Sequence, residues 1–128
     1  MNEHQVVTAL APDMGGLDPQ GMTHRNMLYT SGQIGMTPRG EMSESFEEQA
    51  KNAFYNLKAI VEAAGSRLDR VLKVNIYLTD IDNSFKMSEV YGKFFRENPP
   101  ARDVVEVQKL KKGALIQVSA TAFVRLDS

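Results

Sequence analysis

The last stretch of the chain, Ala114 to Leu126, alternates so regularly between two residue classes that it asks for a strand with two unlike faces. Ile116, Val118, Ala120, Ala122, Val124 and Leu126 share one face and need a dry covering layer. Gln117, Ser119, Thr121, Phe123 and Arg125 share the other, which is too polar for a monomer core and too mixed for plain solvent surface. Such a face suits a cavity lining or a contact between subunits.

Two segments offer the covering layer. Ser45-Phe46-Glu47-Glu48 has the form of a capping box, with Ser45 at the N-cap and acidic residues at the positive helix end. Phe46, Ala50, Ala53, Phe54, Leu57, Ile60, Val61 and Ala64 then recur at spacings of three and four, and Gly65 supplies a stop, so the pattern predicts a helix over 46–64. Ser84 can cap a second helix carrying Phe85, Ser88, Val90, Tyr91, Phe94 and Phe95 and ending before Asn98-Pro99-Pro100. Its rings suit a core better than a cofactor site.

Between the helices, Val71 to Thr79 switches to period two, with Leu72, Val74, Ile76 and Leu78 on one face and Lys73, Asn75, Tyr77 and Thr79 on the other. Extended character also marks Gln5–Leu10, Asn26–Ser31 and Arg102–Leu110. The predicted order is ββαβαββ, an α+β single domain over residues 1–128 with both helices on one face of a mixed sheet. The other face stays partly apolar, with Tyr77, Val104 and Phe123 as candidates for it, and so predicts a homo-oligomer.

Composition excludes several classes of function. With 128 residues and 42% hydrophobic content, one core is expected. Lys and Arg number 15 against 16 Asp and Glu, a net charge of -1, which gives no footprint for nucleic acid or an anionic membrane. The short cluster Lys109, Lys111, Lys112 fits a solvated turn. The absence of cysteine excludes disulfides, thiolate metal sites and a cysteine nucleophile, and suits a reducing compartment, so a cytoplasmic location is expected. The amino terminus Met-Asn-Glu-His-Gln lacks a signal-peptide pattern, and no apolar run is long enough to span a bilayer. His4 and His24 are 20 positions apart in the sequence and form no metal-ligand spacing, and no cofactor motif is present.

Three segments remain as candidates for a site. The Gly-, Pro- and Asp-rich stretch Asp13, Gly15, Gly16, Asp18, Pro19, Gly21 is a loop long enough to bind or cover something, or to serve as a mobile arm. Ser31-Gly32-Gln33-Ile34-Gly35 sets two glycines where a backbone can approach a ligand closely. In Pro100 to Val107, Arg102 stands ahead of a strand-like alternation, and its guanidinium fork matches a carboxylate or phosphate at two points. The alternatives for Arg102 are a solvated rim position or an ion pair with Asp103 or Glu106.

Taken together and in order, Gln20-Gly21, Thr30-Ser31-Gly32-Gln33-Ile34, Asn56 through Gly65, Tyr91 with Phe94-Phe95, Pro100-Ala101-Arg102 and Val105-Glu106-Val107 resemble the small YjgF/RidA proteins, also called the L-PSP endoribonuclease-like family, nearly end to end. The resemblance implies a chorismate-mutase-like α+β fold assembled as a homotrimer, with clefts between subunits that bind small carboxylates. It implies enamine/imine deamination: the residue matching Arg102 grips a substrate carboxylate, backbone groups at Val104 and at Ser31-Gly32 help hold it, and water hydrolyses a C=N bond to give a 2-oxo acid and ammonia.

The chain departs from that pattern in its reactive groups. The deaminases carry a glutamate where Ser119 stands, a tyrosine where Asp18 stands, usually a cysteine where Val104 stands and often an asparagine where Ser88 stands; the Phe95–Pro100 connection is also shorter. The expectation is a deaminase of a reactive small unsaturated amino acid or imino acid, without cofactor or metal. Arg102, Val104, Ser31, Gly32 and Ser88 then bind substrate, Ser119 holds a water, and Asp18, ahead of Glu106, moves protons. The alternative is a non-catalytic trimer that binds small carboxylates through the same cleft. Ribonuclease activity, suggested by the older family name, fits less well with the slightly negative charge and with histidine positions whose spacing suggests no paired acid and base.

Overall fold

A computed structural model describes residues 4–15 and 17–125. The first three residues, Gly16 of the glycine-rich loop and Leu126 of the last alternation lie outside the described residues. In chain order the elements are β1 (Gln5–Val6), β2 (Gly21–His24), β3 (Met27–Thr30), β4 (Gln33–Ile34), α1 (Phe46–Ala63), β5 (Val71–Leu78), α2 (Ser84–Phe94), β6 (Ala101–Glu106) and β7 (Ile116–Phe123). The strands form one mixed sheet in the order β1-β2-β3-β7-β5-β6, with β4 also paired to β7. Every pairing is antiparallel except β5 with β6, which α2 connects.

The predicted α+β architecture is present, with both helices packed on one face. Phe54, Leu57, Ile60 and Val61 of α1 meet Val74, Ile76 and Leu78 of β5 and Ile116, Val118 and Ala122 of β7 in one core. Truncating a buried ring such as Phe54 to alanine costs about 3–5 kcal/mol, because transfer and cavity terms add. The Ser45 hydroxyl accepts from the Glu48 amide at 3.3 Å and starts α1. Gly65, at φ 86, ends it in a Schellman pattern, with Gly65 N–H donating to Glu62 O and Ser66 N–H to Val61 O.

Two strands, β2 and β4, add to the predicted order. Gly21–His24, expected as loop and its continuation, folds back on Met27–Thr30 across Arg25 and Asn26, both in left-handed backbone at φ 49 and 70. That is the backbone of a two-residue hairpin turn, reached here without the glycine that usually signals one. Asn26 is locked to the end of the chain: its carbonyl accepts from Val124 N–H and its side-chain oxygen from Arg125 N–H.

In β5 the expected inward set of Leu72, Val74, Ile76 and Leu78 changes at its first member. A bulge shifts the register between Val71 and Lys73, so Val71 is buried and Leu72 is 49% exposed. β6 stops at Glu106 rather than Leu110, and β7 spans Ile116–Phe123 rather than Ala114–Leu126. β6 closes one edge of the sheet, and its residues are exposed apart from the half-buried Val104. Among the described residues no helix is long and apolar enough to cross a membrane.

Candidate functional site

Arg102 sits on the edge strand β6 directly opposite Val74, whose side chain is buried beneath the helices, so Arg102 points to the helical face. There α2 receives it. The Arg102 Cζ lies 4.6 Å from the centroid of the Tyr91 ring, Nη2 donates to Ser88 Oγ at 3.1 Å, and Nη1 lies 3.9 Å from Met87 Sδ. Among the described residues none of these partners is a carboxylate.

The two acids proposed as ion-pair partners are engaged elsewhere. Asp103 points to the opposite face and pairs with Lys73 at 2.9 Å, while Glu106 Oε1 accepts from Ile81 N–H at 2.9 Å. The guanidinium is therefore oriented by neutral groups and exposed, with no ion-pair partner among the described residues. Tyr91, beneath it, packs on Phe54 and Phe95 at ring distances of 5.7 and 4.7 Å. Burial pushes the Tyr91 phenol above its ordinary pKa of 10.0, and the Arg102 charge opposes that shift.

A second cluster forms at the other end of the sheet, where the loop after β1 crosses the turn between β3 and β4. A cavity of about 410 Å³ is lined there by Asp13, Asp18, Ser31, Gly32, Lys112 and Gln117, among others. The loop is pinned rather than loose. The buried Gln20 amide accepts from Thr8 N–H and donates to the carbonyls of Thr8, Ala11 and Pro12. The Ser31 hydroxyl donates to Pro19 O at 2.7 Å, so it shapes the cavity wall through the loop.

Gly32 lies flat against the Gln117 side chain: a Cβ there would stand 2.5 Å from Gln117 Nε2 and 2.7 Å from its Cδ. The second glycine of this segment serves packing instead, since a Cβ at Gly35 would collide with the backbone of Gln49 in α1. Lys111 and Lys112, expected in a solvated turn, also line the cavity, with Lys112 in left-handed backbone at φ 58.

The candidate residues thus fall into two groups. Arg102, Ser88 and the partly buried Val104 lie at the β6 edge; Asp18, Ser31 and Gly32 lie at the cavity. Ser119 belongs to neither. It faces the open side of the sheet opposite Asn75, while the β7 residue that reaches the cavity is Gln117, two positions earlier on the same face. Two residues outside the sequence candidates touch these groups, Gln117 at the cavity and Tyr91 against Arg102. Gln117 carried a signal, as a polar member of the mixed face, but period two cannot say which member of a face meets a loop. Tyr91 carried only the appearance of core.

Within one chain the two groups cannot meet. Val74 pairs with both Arg102 and Ala120 on the helical face, whereas Tyr77 pairs with Val105 and Gln117 on the open face. Arg102 and the cavity are separated by the sheet itself.

Comparison with known proteins supplies the relatives of this arrangement. The family model described as Endoribonuclease L-PSP matches residues 10–124. A RutC family protein of Pyrococcus abyssi is 39% identical over 96% of this chain and 98% of its own length. A 2-iminobutanoate/2-iminopropanoate deaminase of Dermatophagoides farinae is 37% identical over 90% of this chain and 91% of its own. Among solved structures, Escherichia coli TdcF with bound serine superposes with a TM-score of 0.89 at 34% identity, covering 93% of this chain and 97% of that one.

Proposed function

This chain belongs to the Endoribonuclease L-PSP (YjgF/RidA) family, and we propose that it is an enamine/imine deaminase whose site is built between two copies of the chain. The observation that carries this reading is Arg102: exposed, aimed by Ser88 and Tyr91, and free of any carboxylate partner among the described residues. An oriented and uncompensated guanidinium is a receptor for a small carboxylate. The relatives that are named deaminases and the serine bound to TdcF fit a small amino-acid-like ligand.

The chemistry asked of the site is hydrolysis of a 2-imino acid. Arg102 of one copy holds the carboxylate, and the backbone along the β6 edge at Val104 supports it. The cavity of a second copy supplies the rest. Gln117, pressed against Gly32, offers an amide that can both accept from a water and donate to it, and Asp18 borders the same cavity as an acid-base group. Water oxygen adds to the imine carbon and one of its protons passes to nitrogen; the hydroxyl proton of the resulting carbinolamine then passes to the amine as the C–N bond breaks and the C=O bond forms. Ammonia leaves and the 2-oxo acid remains. Imines already hydrolyse in water, so orientation supplies much of the benefit and a neutral Gln117 suffices for slow turnover.

The neutrality of Gln117 and Ser119 also favours a second reading, a non-catalytic trimer that holds small carboxylates. Ammonia release from enzymatically generated 2-aminoacrylate and from larger unsaturated amino acids separates the two. Acceleration over buffer supports the deaminase; binding of 2-oxo acids without acceleration on any substrate supports the binder.

A further inference from the structure

Resting on the reading of Arg102 as the carboxylate anchor, we propose that Tyr91 is the positioning residue of the site: its ring is the platform that holds the guanidinium in place while leaving the charge for the ligand. An arginine at the edge of a sheet has many rotamers, and an anchor that wanders loses its two-point geometry. Proteins commonly fix such a side chain with a carboxylate, but a fixed counter-ion competes with the ligand for the same charge. Here the fixing groups are an aromatic face at 4.6 Å, a hydroxyl and a thioether, and none carries a negative charge. The face of an aromatic ring attracts a cation through its quadrupole and still leaves the guanidinium edge, with its N–H donors, open to an anion.

Tyr91 is built for that task by its own surroundings. It is 7% exposed, and the Phe54 and Phe95 rings fix it from α1 and from the end of α2. A chain of aromatic contacts therefore runs from the core to the anchor. The Tyr91 hydroxyl is buried and, among the described residues, has no hydrogen-bond partner, so the ring face, not the hydroxyl, does the holding. Burial also keeps the phenol protonated, so it does not become the phenolate counter-ion that would neutralise Arg102.

The first readout needs no ligand: the side-chain resonances of Arg102 by NMR. In the native protein and in Tyr91→Phe they are expected to be ordered and displaced upfield by the ring current; in Tyr91→Leu they become averaged and lose the displacement. Resonances equally ordered in Tyr91→Leu, or mobile and undisplaced in the native protein, overturn the proposal. The second readout avoids any question of folding, because pentafluorophenylalanine at position 91 keeps the shape of a phenylalanine ring and reverses the potential of its face. Affinity for 2-oxobutanoate is expected to fall about 10-fold relative to Tyr91→Phe. Equal affinity in the two proteins overturns the platform role. If the native protein binds no 2-oxobutanoate, the functional reading of the site fails, and the Arg102 resonances alone decide the role of Tyr91.

Discussion

Arg102 and Gln117 stand on opposite faces of one sheet, Arg102 beside the buried Val74 and Gln117 beside Tyr77 on the open side. No side-chain movement brings them together within a chain, because the sheet lies between. A site that uses the anion anchor and the cavity must therefore draw them from different copies. The half-buried open face, carrying Tyr77, Thr121 and Phe123, is the surface on which a second copy would pack.

Arg102→Ala should abolish 2-oxo acid binding in calorimetry while leaving the thermal midpoint within a few degrees of native, since the side chain is exposed and makes no ion pair among the described residues. Arg102→Lys should restore little of that binding, because an ammonium cannot reproduce the fork. Native-like affinity in Arg102→Lys would show that charge alone is read.

If a carboxylate on β7 is what separates fast deaminases from this chain, Gln117→Glu should raise turnover and Ser119→Glu should not. A positioned acid or base is worth about 10²–10⁴-fold, so a gain of even 10-fold in ammonia release is a usable signal. Activity gained through Ser119→Glu instead would place the reactive water on the other part of the strand.

Gly32→Ala puts a methyl group into the Gln117 amide and should weaken ligand binding or lower the melting point. The double variant with Gln117→Ser should recover much of that loss, because the colliding amide is gone. Additive losses in the two variants would mean that the close approach at Gly32 has no bearing on the cavity.

Tyr91 gives a pH dependence with a defined sign. Its folded pKa lies above 10.0, so above that pH the unfolded chain releases the proton while the folded protein keeps it, and stability falls as pH rises. Below pH 10 both states are protonated and the contribution is constant. Tyr91→Phe should show a shallower loss of melting temperature above pH 10; identical slopes would remove the phenol from the account.

Much of the fold and one part of the site were legible in the chain before its structure. The 3.6-residue stripe of α1 and the alternation of β7 each state their period over many residues, and Arg102 stands out because its fork has few uses besides an anion. The rest depended on geometry that residue type does not encode. Arg25-Asn26 forms a tight hairpin turn without glycine, and the bulge at Val71/Lys73 turns Leu72 outward and Val71 inward although the residues from Lys73 onward keep the pattern. Ser119 and Gln117 share a face, so alternation alone could not choose between them; only the loop crossing at Gly32 does. Tyr91 has the composition of core and is core, and its second role comes from the one face that meets Arg102.

The composite site is tested most directly by mixing two crippled chains. Arg102→Ala lacks the anchor, and Gly32→Val fills the cavity beside Gln117; each homo-oligomer should release no ammonia above buffer. Co-expressed, random assembly in a closed ring pairs an intact anchor with an intact cavity at about a quarter of the interfaces, and activity should return to about that fraction of native. No recovery in verified mixed oligomers, or full native activity in a species that sediments as a monomer, would contradict a site shared between copies.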